Sequence, residues 1–150
     1  MNGETLSPKP SEVKSRIAGL DDVPHLLSYG RKFHEYSPWR HLPYSEDAAR
    51  RMLTRLIEDD SGVVLTHDYG LLMGYMAPSW IADDYLLAQE VAWWADRKGG
   101  VLLRAFEEWA KSKGASGVLM IHLETGDSRV AEIYSHMGYS PVEHTFMKRL

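Results

Sequence analysis

A chain of 150 residues, 44% hydrophobic and 25% charged, has the size and balance of one folded domain, which excludes a disordered or fibrous protein. Seventeen Lys and Arg against twenty-one Asp and Glu leave a net charge of -4, which speaks against gripping nucleic acid by counterion release and favours a cationic partner. With no cysteine, disulfides, thiolate nucleophiles and cysteine metal sites are excluded together, in keeping with a reducing cytoplasm.

Residues 1–11, with Gly3, Pro8, Pro10 and nothing to bury, read as a flexible tail ahead of a single domain over 12–150. No apolar run approaches the ~20 residues that span a bilayer, and the first residues lack the apolar core of a signal peptide, so no membrane association is expected. The pattern predicts a short strand over 13–18, then a helix started by Asp21 and Asp22, with Val23, Leu26, Leu27 and Phe33 at helical spacing. After the aromatic stretch HEYSPWRHLPYSED, Ser45 caps a second helix whose Ala49, Met52, Leu53, Leu56 and Ile57 form one apolar face.

The runs GVVLT (62–66) and LLMGYMA (71–77), joined by HDYG, predict a β-hairpin. Residues 86–95 (LLAQEVAWWA) are almost continuously apolar, as in a strand covered on both faces, and hold one carboxylate, Glu90. A third helix follows through Leu102, Leu103, Phe106, Trp109 and Ala110 to Gly114, then a strand over 117–123. Asp127 caps a fourth helix through Val130, Ile133, Tyr134 and Met137 to Gly138, and residues 141–150 read as a closing strand. The expected order is β-α-α-β-β-β-α-β-α-β, a mixed α/β sheet with helices on its faces.

The junction Trp93-Trp94-Ala95-Asp96-Arg97-Lys98-Gly99-Gly100-Val101-Leu102 joins a buried strand, two cations and two glycines to a helix start. Free N–H groups and the helix dipole there suit an anion such as pyrophosphate, while the same pattern also describes a tight turn with its cations in water. Neither G-x-G-x-x-G nor G-x-x-x-x-G-K-[ST] is present, so a Rossmann or P-loop nucleotide site is disfavoured. No H-E-x-x-H occurs, and although His122 and Glu124 share a strand face, two ligands do not make a site, so no metal is expected. The absence of G-x-S-x-G argues against a hydrolase.

Taken together, these segments resemble the GNAT superfamily of acetyl-CoA-dependent N-acetyltransferases, in the small single-domain form found in bacteria and phages. Arg16-Ile17-Ala18 followed by Asp22-Val23-Pro24 is similar to the family's first strand and helix. Arg97-Lys98-Gly99-Gly100-Val101 resembles the start of its Q/R-x-x-G-x-G/A loop, with Leu102 where Gly or Ala is usual and a shorter strand-to-loop stretch. Asp127 through Tyr139 resembles N-x-x-A-x-x-x-Y-x-x-x-G-[FY]: Tyr134, Gly138 and Tyr139 match, Asp127 replaces Asn, and Val130 replaces Ala.

The resemblance implies a cytoplasmic transferase moving acetyl from acetyl-CoA to a primary amine of a small molecule or peptide, with no acyl-enzyme. It implies that Tyr134 protonates the departing sulfur, against the alternative of a core aromatic with a locally satisfied hydroxyl. It implies Glu90 as general base, against a structural, paired glutamate. Coenzyme contacts are expected from Trp93, Trp94, Ala95, Arg97, Lys98, Gly99, Gly100, Val101, Leu102, Asp127 and Tyr134. Acceptor contacts are expected from Phe33, Tyr36, Trp39, Asp83 and Asp84, in a region that also offers His34, His41 and Tyr44 and reads equally as a packed loop. Two rival readings stay open: a non-catalytic binding or scaffold protein on this fold, and a homodimer formed through exposed tryptophan.

Overall fold

The structure, a computed structural model, describes residues 12–150, and the tail expected over 1–11 lies outside the described residues. Five strands form one sheet in the order β1 (Arg16–Ile17), β2 (Gly62–His67), β3 (Gly70–Ser79), β4 (Ala82–Ala95) and β5 (Gly117–Leu119). The first four are antiparallel, and β5 joins β4 in parallel after a crossover through α3 (Gly99–Ser112). The remaining helices are α1 (Val23–Tyr36), α2 (Glu46–Glu58) and α4 (Arg129–His136). The mixed α/β sheet expected from the apolar periodicities is therefore present. Among the described residues no helix is long and apolar enough to cross a membrane.

The period-two alternation of the central strands divides the interior into two layers. Val64 and Leu71 face one side, with Leu26, Leu27 and Tyr29 of α1 and Leu53 and Leu56 of α2. Val63, Leu65, Leu72 and Ala88 face the other, with Leu102, Phe106, Trp109 and Ala110 of α3. Trp94 and Trp93, neighbours in sequence, consequently pack on opposite layers. Ser45 accepts from the Ala48 N–H at 3.2 Å and caps α2 as its position predicts, while Gly114 and Gly138 end α3 and α4 in the left-handed conformation. Asp22 behaves differently: its carboxylate takes Arg16 and the Gly19 N–H rather than the first turn of α1.

The strand limits also differ from the sequence reading. The first strand contracts to Arg16–Ile17, which pair with Thr66 and Leu65 of β2. β4 begins at Ala82, so Asp83 and Asp84 lie within a second hairpin with β3 rather than in a loop. β4 also carries an extra residue, since Met73 faces Ala92 while Gly74 faces Glu90, leaving Val91 as a bulge. Gly74 itself admits no side chain there, because a Cβ would lie 2.6 Å from the Gln89 carbonyl oxygen and 2.7 Å from the Phe106 ring.

The closing strand expected over 141–150 is not formed: these residues have no ladder, and Val142, Phe146 and Leu150 are exposed. β5 stops after three residues and offers too little edge to template another strand, and Pro141 lacks an N–H to donate. Of the five tryptophans, Trp80, at the tip between β3 and β4, is 94% exposed beside exposed Ile81.

Candidate active site

β4 and β5 pair through Leu87 with Gly117, Ala88 with Val118 and Gln89 with Leu119, and their ladder then ends. Past that point a side chain replaces the ladder: Glu90 Oε2 accepts from the Ile121 N–H at 2.7 Å. Tyr134 of α4 reaches the same residue from the other side, its hydroxyl donating to the Ile121 carbonyl at 2.7 Å. The two candidate catalytic residues, 44 positions apart in sequence, thus converge on one stretch of backbone.

Burial pushes the Glu90 carboxyl up to about 7, with the Ile121 N–H opposing the rise by favouring the ionised form. Burial, followed by the neighbouring Glu90 charge, raises the Tyr134 phenol well above the usual range, so it stays protonated. The Tyr134 ring lies 6.1 Å from that of Trp93 and 5.5 Å from that of Tyr139.

Trp93 connects this pair to the helix start. A Cβ built on Gly99 would stand 3.0 Å from the indole, whose Nε1–H is buried with no acceptor among the described residues. A Cβ on Gly100 would meet nothing within 4 Å, so that face of the first turn is open. Lys98 precedes the helix with φ of 58°, left-handed for a residue bearing a side chain. Its carbonyl accepts from the Val101 N–H at 3.2 Å, while the N–H groups of Gly99 and Gly100 find no acceptor among the described residues. Those groups and the helix dipole form an anion-binding end, and the open glycine face fits a phosphate-bearing group. The Leu102 side chain does not reach that end, being fully buried in the α3 layer, and Val101 is partly buried.

The preceding residues are braced from the β2–β3 turn. The Asp96 N–H donates to the Tyr69 carbonyl at 2.8 Å, and the Arg97 guanidinium lies 3.9 Å from the Tyr69 ring centre and donates to its hydroxyl. Lys32 of α1 and the Trp94 indole N–H both donate to the Asp96 carboxylate. Half-buried Ala95 lies beneath, against Gly70 and Gly99.

The expected acceptor residues separate into three groups. Tyr36, at the end of α1, packs edge-on against Trp94 at 5.5 Å and donates to Asp127 at 3.3 Å, joining α1 to the segment before α4. Asp127 also accepts from the Arg129 N–H at 2.9 Å and pairs with its guanidinium, which holds the carboxyl well below the usual range. Phe33 is half-buried and Trp39 lies partly exposed on a short 3-10 turn (Pro38–His41). His34, His41 and Tyr44 are engaged with nearby carbonyls, as in a packed loop. Asp83 and Asp84 stand exposed at the far end of β4, roughly 20 Å from Glu90 at ~3.3 Å per residue, and do not join the site.

Three participants were not singled out from the sequence: the Ile121 backbone, Tyr69 and His67. Backbone contacts leave no residue-type signal. The turn tetrad His67-Asp68-Tyr69-Gly70 does carry an unusual density of side-chain donors and acceptors for a hairpin connection.

No family model matches the sequence, and no curated protein matches it. Solved structures do match the fold. An aminoglycoside N-acetyltransferase, AAC(6')-Iy, in complex with CoA, superposes with a TM-score of 0.71 at 13% identity, over 97% of this chain and 99% of its own. A ribosomal-protein-alanine N-acetyltransferase from Brucella melitensis biovar Abortus gives 0.69 at 11% identity, over 93% and 99%. A transcriptional regulator from Bacillus halodurans gives 0.75 at 14% identity, over 93% and 100%. Likeness over nearly the whole of both chains, at identities this low, is likeness of architecture, and by that measure the chain is built on the GNAT acetyltransferase fold.

Proposed function

We propose that the protein is an N-acetyltransferase that moves an acetyl group from acetyl-CoA directly to a primary amine. The observation that carries the reading is the position of Trp93, whose indole touches the anion-binding helix start at Gly99 and stacks near Tyr134 of the buried Glu90–Tyr134 pair. One side chain thus spans from a place for pyrophosphate to a place for proton transfer. The fold is shared with structures solved with CoA and with the bisubstrate analogue CoA-S-monomethyl-acetylneamine.

The N–H groups of Gly99 and Gly100, with Lys98 beside them, would hold the pyrophosphate. Acetyl-CoA supplies the acetyl group as a thioester. Glu90, poised near neutrality, takes the proton that the amine loses as its nitrogen bonds to the carbonyl carbon. Tyr134 turns from Ile121 and gives its proton to the sulfur as the C–S bond breaks. With no cysteine in the chain, a thiol-borne acyl-enzyme has no residue to form on, and direct transfer is the simpler route. Tyr36 and Asp127, an aromatic face beside a carboxylate, suit a cationic amine at the mouth. Structures of the same fold include one bound to sisomicin, which favours a small-molecule amine.

One observation favours a second reading, a non-catalytic binding protein: Glu90 and Tyr134 both hydrogen-bond Ile121, and a purely structural role would explain those bonds. Thermal unfolding with acetyl-CoA, CoA and an unrelated nucleotide, followed by transfer assays on an amine panel, separates the two. A ligand at 100 times its Kd adds ~2.7 kcal/mol, or several degrees at roughly 2–4 °C per kcal/mol. A shift confined to CoA and its acetyl ester, with turnover, is expected. The same shift without turnover on any amine would select the binding protein, and no shift at millimolar ligand would refute the donor site.

A further inference from the structure

His67, at the end of β2, is buried, and a buried imidazole needs a partner for each ring nitrogen. Nδ1 lies 3.0 Å from the Tyr69 N–H and Nε2 lies 2.9 Å from the Lys98 carbonyl oxygen. A backbone N–H only donates and a carbonyl only accepts, so Nδ1 accepts and Nε2–H donates. A proton on Nδ1 would face the Tyr69 N–H.

The bond to Lys98 changes the start of α3. In α2 and α4 the residue before the helix accepts from the N–H four positions on: Ala49 donates to Ser45 at 3.1 Å and Glu132 to Ser128 at 3.0 Å. In α3 the Lys98 carbonyl also takes the N–H three positions on, Val101 at 3.2 Å, and the His67 ring at 2.9 Å. The left-handed backbone of Lys98 is a conformation that persists only where surroundings over-determine it. The surroundings here are the β2–β3 turn, which Tyr29 of α1 holds in turn by donating to the Asp68 carbonyl at 2.9 Å.

We infer that His67 is a positioning residue for the donor site: by holding the Lys98 carbonyl it fixes the left-handed bend before α3 and so aims the free N–H groups of Gly99 and Gly100 at the coenzyme's pyrophosphate. This rests on the acetyl-CoA reading and adds to it a residue outside the loop that sets coenzyme affinity. His67 touches neither reacting atom, so its effect falls on binding and not on the chemical step.

Two substitutions separate its two bonds. The amide nitrogen of Gln reaches about as far as Nε2 and keeps the bond to Lys98, whereas Asn ends at the reach of Nδ1 and keeps only the bond to Tyr69. Calorimetric titration with CoA is expected to give His67→Gln near the parent Kd and His67→Asn a Kd raised about tenfold, the scale of one lost hydrogen bond. KM for acetyl-CoA should follow Kd while kcat holds. In the parent protein, nitrogen NMR should find His67 protonated at Nε2, with its signals shifting on CoA addition, a readout that needs no variant to fold. Equal affinities for the two variants, a loss confined to kcat, or an Nδ1-protonated ring would overturn the inference while leaving CoA binding by the parent protein intact. A folded parent protein that binds no CoA would remove the donor reading and this inference together.

Discussion

The two sides of the β4–β5 divide are held by different means. Between β2 and β4, alternating side chains fill both layers, and Leu72, Leu102 and Phe106 lose all contact with solvent. After Leu119 the chain has one eight-residue helix with a single buried side chain, Tyr134, and then an exposed segment. The first region stands on area removed from water, and the second is attached to it through the bond of Glu90 to Ile121, the Tyr134 ring beside Trp93 and the bond between Tyr36 and Asp127. The difference teaches where rigidity is spent: the loop and the helix start belong to the packed side, and the candidate acid belongs to the lightly held side.

Core truncation should expose that contrast most strongly. Phe106→Ala is expected to cost about 3–5 kcal/mol, whereas Phe146→Ala, on a side chain already 93% exposed, should stay within ~0.5 kcal/mol. Urea unfolding of both variants checks it, and a comparable loss for Phe146→Ala would mean that the last segment packs in solution.

A smaller effect is expected at Tyr134. As the acid, Tyr134→Phe should lower kcat by about 100-fold or more, with CoA affinity kept, while removing one hydrogen bond worth about 1 kcal/mol from the lightly held side. Full turnover in that variant would leave the hydroxyl only its structural bond.

The pH dependence sharpens the same boundary, because Glu90 sits on it. Its carboxyl is raised from 4.5 to about 7 in the folded state, so folding favours the protonated form. The stability it contributes is complete below pH 4.5 and is lost as pH rises through about 7. Catalysis by the ionised base runs the other way, so kcat/KM should climb over the interval in which this contribution to stability fades. Melting curves and rates between pH 5 and 8 check both trends (a spacing of about one unit suffices), and Glu90→Gln should flatten both.

The smallest change is expected within the packed side. Lys98→Gly relieves the left-handed backbone and should stabilise the fold by about 0.5–1 kcal/mol, leaving the carbonyl that His67 holds in place. A loss of stability would show that the lysine side chain contributes more than its backbone costs.

Much of the packed region was legible because it obeys local periods. The apolar faces of α1, α2 and α3, the hairpin through His67-Asp68-Tyr69-Gly70 and the glycine stops at Gly114 and Gly138 follow from spacing alone. Glu90 stood out as a carboxylate in an apolar run, and the Tyr134 spacing drew attention through the family pattern. The Val91 bulge, the start of β4 at Ala82 and the end of β5 at Leu119 were not legible, because each depends on which strand lies alongside. The closing strand failed for the same reason: its residues have the composition of a strand, but pairing needs an edge, and β5 supplies only three residues.

By itself the sequence determined the layers, the helix faces and the glycine-bearing helix start, since these rest on each residue's size, polarity and backbone freedom. Only the tertiary structure decided that Glu90 and Tyr134 meet at Ile121, that Asp83 and Asp84 stand apart from them, and that His67 reaches Lys98 across 31 positions. Such contacts join segments distant in the chain, and their geometry is set by how the strands diverge and the helices dock.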